Sequence, residues 1–259
     1  MTKEEALQRM GGDEDDDEGM ISLDSSFFVD RNYELTEFTF GSNSLQLLCL
    51  RSASTDYDLT GQLVWPGAVL MNNYLSNHAE ILSGRSVIEL GSGIGITGIL
   101  CSRFCKEVVL TDHNDEVLEI IRKNIELEAS RRNQNLPGLT AKKLEWGNRE
   151  HIQQILQTHH SGFDIVLGAD IYILFEHFMS HLSFQQSSIP HLFDTVQQLL
   201  QKKRTGCKFI LAYVSRAKTM DTMVMNEAIQ RGMQISEVEG TRTTVSGLEG
   251  VIFEVAFKS

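Results

Sequence analysis

The segment VIELGSGIG at residues 87–95 restricts the possible folds of this chain more than any other feature. Its apolar start is typical of a buried strand, and the glycines that follow predict a tight turn that opens a helix. Because glycine lacks a Cβ, Gly91 and Gly93 allow the backbone to turn sharply and to approach a ligand closely. A dinucleotide fingerprint would place a third glycine at position 96, where this chain has Ile96. The segment therefore predicts a strand–turn–helix unit that binds another class of ligand.

Strands and helices alternate along the chain from residue 86 onward. Apolar runs predict strands at 86–90, 107–112, 139–145, 163–170 and 207–214. Helices are predicted at 114–129, 189–203 and 220–231, and a closing strand pair at 233–239 and 250–257. Before them, residues 33–50 predict a β-hairpin around GSNS, and residues 68–82 predict a helix. This order favours an α/β fold with a mostly parallel sheet, helices on both faces and an N-terminal β-hairpin.

The charge of the chain is unevenly distributed. The 259 residues have a net charge of −12, of which −6 lies in the first 20 residues, where positions 13–18 are consecutive carboxylates. Adjacent like charges repel one another, which predicts a disordered acidic tail at 1–20 and a folded domain at 21–259. The acidic balance disfavours nucleic acid as a partner, because binding to phosphates requires surplus cations, and it disfavours a basic membrane-surface protein.

The cysteine and histidine positions indicate neither disulfides nor a metal site. The four cysteines include no CxxC pair, and no apolar secretion signal is found at the N-terminus. Reduced thiols are therefore expected, and the protein is expected in the cytoplasm, with the nucleus as a second location. His177 and His181 have the i, i+4 spacing of a metal pair on a helix, but no third ligand accompanies them.

Two carboxylates accompany the glycine turn. Glu89 lies within the apolar strand before the turn, where a carboxylate is costly unless it is paired, for example with an amine of the ligand or of the protein. Asp112 ends the second predicted strand, 21 residues after Gly91, where it can accept hydrogen bonds from both hydroxyls of a ribose. Taken alone, Asp112 could equally be a helix N-cap. Because ligands of open α/β sheets bind at the carboxyl ends of strands, the three features together predict a ribose-containing ligand.

The chain from about 61 to 172 resembles the class I S-adenosyl-L-methionine-dependent methyltransferases. It is most similar to the seven-β-strand protein-lysine methyltransferases of methyltransferase family 16. The matching pieces are GQLVWPGA (61–68), VIELGSGIGITGI (87–99), VLTDHN (109–114), LEWGN (144–148) and FDIVLGAD (163–170). The hairpin before Trp65 and FILAYVSRA at 209–217 also fit. The resemblance implies a Rossmann-like, seven-stranded sheet and S-adenosyl-L-methionine as the cofactor.

The resemblance also implies roles for individual residues around the cofactor. The glycine turn would line its methionine and ribose moieties, and Asp112 would hold the ribose hydroxyls. Trp146 would pack beside the adenine, and Trp65 would close over the cofactor from the N-terminal side. With Glu89 added from its position in the strand, the predicted cofactor-binding residues are Trp65, Glu89, Gly91, Ser92, Gly93, Asp112, Trp146 and Ala169.

The predicted catalytic residues follow the fourth strand. Ala169 and Asp170 would lie between the cofactor and the acceptor channel, and Asp170 is predicted to orient the acceptor amine and to accept its hydrogen bond. Tyr172 is predicted to supply a wall or a hydroxyl. The aromatic residue of the family's Asp-x-x-Tyr/Phe motif would fall at Ile173, one residue after Tyr172, and an insertion is predicted at 174–188.

The predicted function is transfer of a methyl group to a lysine amine of a protein by in-line displacement, which requires a neutral nucleophile. The segment GADIY at 168–172 has no proline, whereas enzymes that methylate amino groups of nucleobases or glutamine carry an Asn/Asp-Pro-Pro-Tyr/Phe loop there. Those acceptors are therefore disfavoured. Two alternatives stay open: a methyltransferase for a small molecule or another side chain, and a non-catalytic binding protein that retains the fold. The sequence names neither the acceptor protein nor the oligomeric state.

Overall fold

The computed structural model of the chain describes residues 33–50, 61–133, 136, 138–170, 182–203, 206–216 and 218–258, with the side chains of the helix at 182–203 described from residue 188 onward. The predicted acidic tail at 1–20, Tyr172, His177 and His181 lie outside these residues. The predictions made for them therefore stay predictions.

The first described element is a β-hairpin formed by β1 (Glu34–Phe40) and β2 (Asn43–Cys49). The strands pair antiparallel around Gly41, whose φ of 57° lies in the left-handed region that glycine tolerates. Alternate side chains, among them Phe40 and Leu45, are buried against the rest of the molecule. The predicted hairpin is therefore confirmed.

The central sheet follows the hairpin. Its strands are, in chain order, β3 (Ser86–Leu90), β4 (Glu107–Asp112), β5 (Leu139–Lys143), β6 (Ile165–Ala169), β7 (Lys208–Val214), β8 (Met233–Glu237), β9 (Thr243–Val245) and β10 (Leu248–Phe257). In space the order is β5-β4-β3-β6-β7-β10-β8, and β9 pairs with the start of β10. Neighbours from β5 to β7 are parallel, whereas β10 is antiparallel to β7 and β8. The Rossmann-like, mostly parallel sheet is confirmed, and β9 is an addition to the seven predicted strands.

Helices cover both faces of the sheet. In the described ranges they are α1 (Pro66–Asn77), α2 (Ile96–Cys101), α3 (Asp115–Arg131), α4 (Arg149–Thr158), α5 (Leu182–Lys203) and α6 (Lys218–Gln230). One hydrophobic core contains side chains of α1, α2, α3 and the hairpin, and the other contains side chains of α4, α5 and α6. Because side chains of a strand alternate between faces, Val87 of β3 lies in the first core and Ile88 in the second. The prediction of helices on both faces is confirmed.

Helix α1 differs from its predicted span of 68–82 at both ends. It starts two residues earlier, at Pro66, because a proline in the first helical turn needs no partner for a backbone N–H. It ends at Asn77, since His78 leaves helical geometry, and a separate short turn of 3-10 helix follows at Ala79–Ile81.

Helix α5 starts at Leu182 instead of the predicted residue 189. Pro190 would occupy the first turn of the predicted helix, where proline is favoured, but it lies inside the observed one. The second half of the predicted insertion at 174–188 is therefore the beginning of α5. Helix α4 has no counterpart in the sequence prediction.

Candidate functional site

The glycine loop between β3 and α2 has the geometry that the sequence predicts. Gly91, Gly93 and Gly95 have φ values of 63°, 52° and 85°, which other residues adopt only with strain. Ser92 fixes the loop to β4: its backbone N donates to Thr111 O at 2.8 Å, and its Oγ accepts from Thr111 N at 3.0 Å. The hydroxyl of Ser92 therefore has a structural partner within the chain.

Glu89 points from β3 towards helix α2 and is 3% exposed. One of its carboxylate oxygens accepts a hydrogen bond of 3.0 Å from the backbone N of Gly98, in the first turn of α2. The N-cap residue Gly95 has no side chain that could accept this bond, so Glu89 caps the helix from the neighbouring strand. Burial raises the pKa of Glu89 to about 7, although its hydrogen bonds favour the charged form.

Asp112 lies at the end of β4, beside the glycine loop, and is buried. Its two carboxylate oxygens accept hydrogen bonds from the backbone N of Gly93 at 3.3 Å and of Asn114 at 3.1 Å. The N-cap of α3 is Asn114, whose side chain accepts hydrogen bonds from the backbone N of Glu116 and of Val117. The alternative interpretation of Asp112 as an N-cap is therefore wrong. Each of its oxygens retains capacity for a further hydrogen bond.

Trp146 follows β5 and packs against the second hydrophobic core. The next residue, Gly147, has a φ of 81°, and its backbone N donates to Thr195 Oγ1 of α5 at 2.8 Å. A Cβ on Gly147 would lie 2.8 Å from His191 Nδ1, so only glycine permits this approach to α5. These contacts hold Trp146 at the carboxyl end of β5.

Helix α1 starts directly at the carboxyl end of β6. The backbone N of Gly67 donates to Asp170 Oδ2 at 2.5 Å, so Asp170 supplies the acceptor that the side chain of the N-cap residue Trp65 does not. A Cβ on Gly67 would lie 2.7 Å from Asp170 Cγ, which explains the glycine in the WPGA sequence. Asp170 itself has a φ of 47°, an uncommon conformation for a residue with a side chain.

Arg216, which follows β7, contacts both Trp65 and Asp170. Its guanidinium carbon lies 5.4 Å from the centroid of the Trp65 ring, and its Nη2 lies 3.5 Å from Asp170 Oδ1. Burial raises the pKa of Asp170, while the hydrogen bond from Gly67 and the charge of Arg216 oppose the shift. Both carboxylate oxygens of Asp170 face groups of the chain, and its predicted contact with an acceptor amine stays a prediction.

A cavity lies at the carboxyl ends of β3 and β6. Six of the predicted cofactor residues line it: Trp65, Glu89, Gly91, Ser92, Gly93 and Ala169. Asp112 reaches its edge through the hydrogen bond to Gly93, whereas Trp146 is not among the lining residues. Within the described ranges, no group of three or more His, Cys, Asp or Glu side chains is arranged to hold a metal ion.

Gly67 and Arg216, which contact Asp170, were not among the residues predicted from the sequence, and neither were the lining residues Leu63, Ala68, Ile94, Ile96 and Thr97. Gly67 and Arg216 lie within GQLVWPGA and FILAYVSRA, two of the pieces that carry the resemblance. Their place in these pieces was the available signal, but a contact between residues more than 100 positions apart, such as Gly67 with Asp170, cannot be inferred from spacing.

A family model described as lysine methyltransferase matches residues 47–230. The chain belongs to this family. The matched range contains Trp65, the glycine loop, Asp112, Trp146 and Asp170, and it therefore includes every part of the site described above.

Two curated relatives show what the chain is similar to. Protein N-lysine methyltransferase METTL21A of Mus musculus is 32% identical over 143 residues, which cover 54% of this chain and 59% of that protein. Histone-arginine methyltransferase METTL23 of Mus musculus is 33% identical over 125 residues, which cover 48% of this chain and 46% of that protein. The chain thus spans about half the length of the curated relatives it matches.

The fold of the lysine methyltransferase family is shared with distant methyltransferases. The structure of T. Thermophilus 16S rRNA N2 G1207 methyltransferase (RsmC), in complex with AdoMet and guanosine, aligns with a TM-score of 0.57 at 16% identity. The alignment covers 87% of this chain and 51% of that one, and at such identity it shows the fold alone. In the part of the chain that the structure describes, no helix is both long and apolar enough to cross a membrane.

Proposed function

We propose that the chain is an S-adenosyl-L-methionine-dependent protein-lysine N-methyltransferase. One observation carries this proposal: in a chain that the lysine methyltransferase model matches over 47–230, the glycine loop and the Trp65–Asp170 region meet around one cavity. The relative METTL21A, which is named a protein N-lysine methyltransferase, supports lysine as the acceptor side chain.

The residues around the cavity fit S-adenosyl-L-methionine. Asp112 is held by backbone N–H groups and retains acceptor capacity for two ribose hydroxyls. Glu89 gives the cavity wall a carboxyl group that suits an ammonium, and the open backbone at Gly91 and Gly93 permits close approach. Trp146 offers an aromatic surface for adenine. When bound, the cofactor supplies a methyl group that is activated by its sulfonium.

The chain's own residues have to present a neutral amine to that methyl group. A lysine amine with its ordinary pKa of about 10.4 has to lose a proton before it can attack, and an apolar surrounding lowers that pKa. Asp170 holds the start of α1 against β6, and Trp65 forms one wall of the cavity. We assign both residues to positioning and to the exclusion of water from the reacting groups.

A protein acceptor and a cytoplasmic location complete the proposal. All four cysteines are free, as is usual in a reducing compartment. The net charge of −12 supports a basic acceptor protein over a nucleic acid, because opposite charges favour encounter and like charges oppose it.

The proposal can be tested by binding and by transfer. We expect calorimetric titration to show that the protein binds S-adenosylmethionine and S-adenosylhomocysteine with micromolar affinity. We expect labelled methyl groups to appear in lysate proteins as methyl-lysine. Asp112→Asn should weaken cofactor binding about tenfold or more, because it removes a charged acceptor.

Asp115→Asn is the matched control, since Asp115 is exposed at the start of α3 and pairs with Lys143 at 2.5 Å. It should leave cofactor affinity unchanged. If the product were methyl-arginine, the acceptor side chain would be arginine, as in the name of METTL23, and lysine would be excluded as the acceptor. Absence of binding to either cofactor form would overturn the proposal.

A further inference from the structure

Arg216 has hydrogen-bonding capacity that the described chain does not use. Its side chain is 15% exposed, and both Nε and Nη2 are buried without a hydrogen-bond partner. The separation of 3.5 Å between Nη2 and Asp170 Oδ1 is an ion-pair contact that is longer than a good hydrogen bond. Leaving buried donors of a charged group without hydrogen bonds costs free energy. A ligand that accepts hydrogen bonds from Nε and Nη2 would remove this cost.

The position of Arg216 indicates where that ligand lies. The guanidinium stacks near the ring of Trp65, which lines the cavity, and pairs with Asp170, which directly follows the cavity residue Ala169. Arg216 is not itself a lining residue, but its contacts with Trp65 and Asp170 place the guanidinium at the edge of the cavity, on the side of β6. The glycine loop lines the same cavity from β3, the strand that pairs with β6.

The charges around the cavity indicate the chemistry of the ligand. Glu89 lines it, Asp112 borders it through Gly93, and Asp170 follows its wall, so acidic side chains surround it on several sides. A ligand that brings a carboxylate into this surrounding needs a cationic partner. Nε and one terminal nitrogen of an arginine form the fork that binds a carboxylate in a bidentate manner.

We propose that Nε and Nη2 of Arg216 bind the α-carboxylate of the methionine moiety of S-adenosyl-L-methionine. This inference rests on the proposed function, and it assigns the cofactor's carboxylate to a residue outside the glycine loop. Trp65 and Asp170 are the groups that hold the guanidinium in place for this contact.

The test compares two ligands that differ only in the carboxylate: S-adenosylmethionine and decarboxylated S-adenosylmethionine. In the unchanged protein we expect calorimetry to show binding about 10- to 100-fold tighter for the ligand with the carboxylate. In Arg216→Gln this ratio should fall to about threefold or less, with the affinity for the decarboxylated ligand nearly unchanged. Arg216→Lys, which keeps the charge but loses the fork, should give an intermediate ratio.

Arg242→Gln is the control, because Arg242 pairs with Glu237 and Glu249 at the far edge of the sheet. It should keep the ratio of the unchanged protein. If the unchanged protein binds both ligands equally, or if Arg216→Gln weakens both to the same extent, Arg216 does not bind the carboxylate. An effect of Arg216→Gln only on the KM for the acceptor would likewise overturn the assignment. Failure of the unchanged protein to bind either ligand would instead refute the proposed function, and the inference with it.

Discussion

Gly67 and Asp170 are 103 positions apart, and their contact joins the start of helix α1 to the end of strand β6. The carboxylate of Asp170 acts where a capping side chain of the helix itself would act, because Trp65 at the N-cap makes no such bond. The contact is close enough that a single added carbon at position 67 would overlap the side chain and the backbone N of Asp170. The geometry of the cavity wall therefore depends on one missing Cβ.

Gly67→Ala should destabilise the protein, although alanine is normally the better helix former by about 1 kcal/mol. The added Cβ would lie 2.7 Å from Asp170 Cγ and 2.9 Å from its backbone N, and we expect overpacking to cost about 1–3 kcal/mol in urea unfolding. Cofactor affinity should fall as well. Asn73→Ala, at an exposed position of the same helix, should be neutral or slightly stabilising. Equal effects of the two substitutions would contradict the contact.

Glu89 predicts a pH dependence of stability with a definite sign. Its pKa rises from an ordinary value of 4.5 to about 7 on folding, so the native state binds this proton more tightly than the unfolded state. The free energy of unfolding should therefore decrease between about pH 4.5 and pH 7, and the loss should be complete above pH 7. At about 1.4 kcal/mol per pKa unit this contribution is about 3 kcal/mol.

Glu89→Gln should remove this part of the pH dependence, because glutamine stays neutral and its Oε1 can still accept from Gly98. Urea unfolding of the protein without cofactor at pH 5 and pH 8 would measure it. Glu126→Gln, on the exposed face of α3, is the control and should leave the slope as it is. An unchanged slope in Glu89→Gln would contradict the raised pKa.

At the scale of elements, helix α3 connects the N-terminal hairpin to the site. The amide of Asn124 donates to Leu48 O and Ile94 O, both at 3.0 Å, and accepts from Leu48 N at 2.8 Å. One buried side chain thus bonds strand β2 and the glycine loop together. Arg103, which follows α2, also links the hairpin to α3. It donates to Ser44 O of the hairpin at 2.8 Å and forms an ion pair with Glu128 of α3.

Asn124→Ala should lower the free energy of unfolding by about 2–4 kcal/mol, because it leaves three buried backbone groups unsatisfied. It should also weaken cofactor binding, since one of those groups belongs to Ile94 of the glycine loop. Glu126→Ala, two residues away and exposed, should change neither quantity by more than about 0.5 kcal/mol. Loss of stability without loss of affinity would show that Asn124 serves the hairpin alone.

For the whole molecule, amide hydrogen exchange should follow the order of the sheet. Strand β3 is buried along its length between β4 and β6, whereas β5 and β8 lie at the edges and are partly exposed. Exchange should therefore be slowest in β3 and β6 and fastest in β5 and β8. S-adenosylhomocysteine should slow exchange at 91–97 and leave β8 unchanged. Uniform protection of the whole sheet would contradict the proposed location of the site.

The sequence predicts the sheet and the glycine loop well, because buried strands and glycine turns are local patterns. It predicts Asp112 and the glycines of the loop for the same reason, since both lie at the ends of recognisable strands. It predicts the start of α5 poorly, because Pro190 marks helix starts more often than helix interiors. The partner of Glu89 and the contacts of Arg216 depend on elements far apart in the chain, and no local pattern reports them.

Strand β10 follows β8 in the chain, yet it lies between β7 and β8 in the sheet. During synthesis, β8 leaves the ribosome before the strand that will pair with it. Until residues 248–257 are made, the edge of β7 that pairs with β10 is open, and β8 lacks its pairing with β10. A nascent chain interrupted before residue 248 would therefore present exposed strand edges to other chains, and completion of the sheet has to await translation of this late segment.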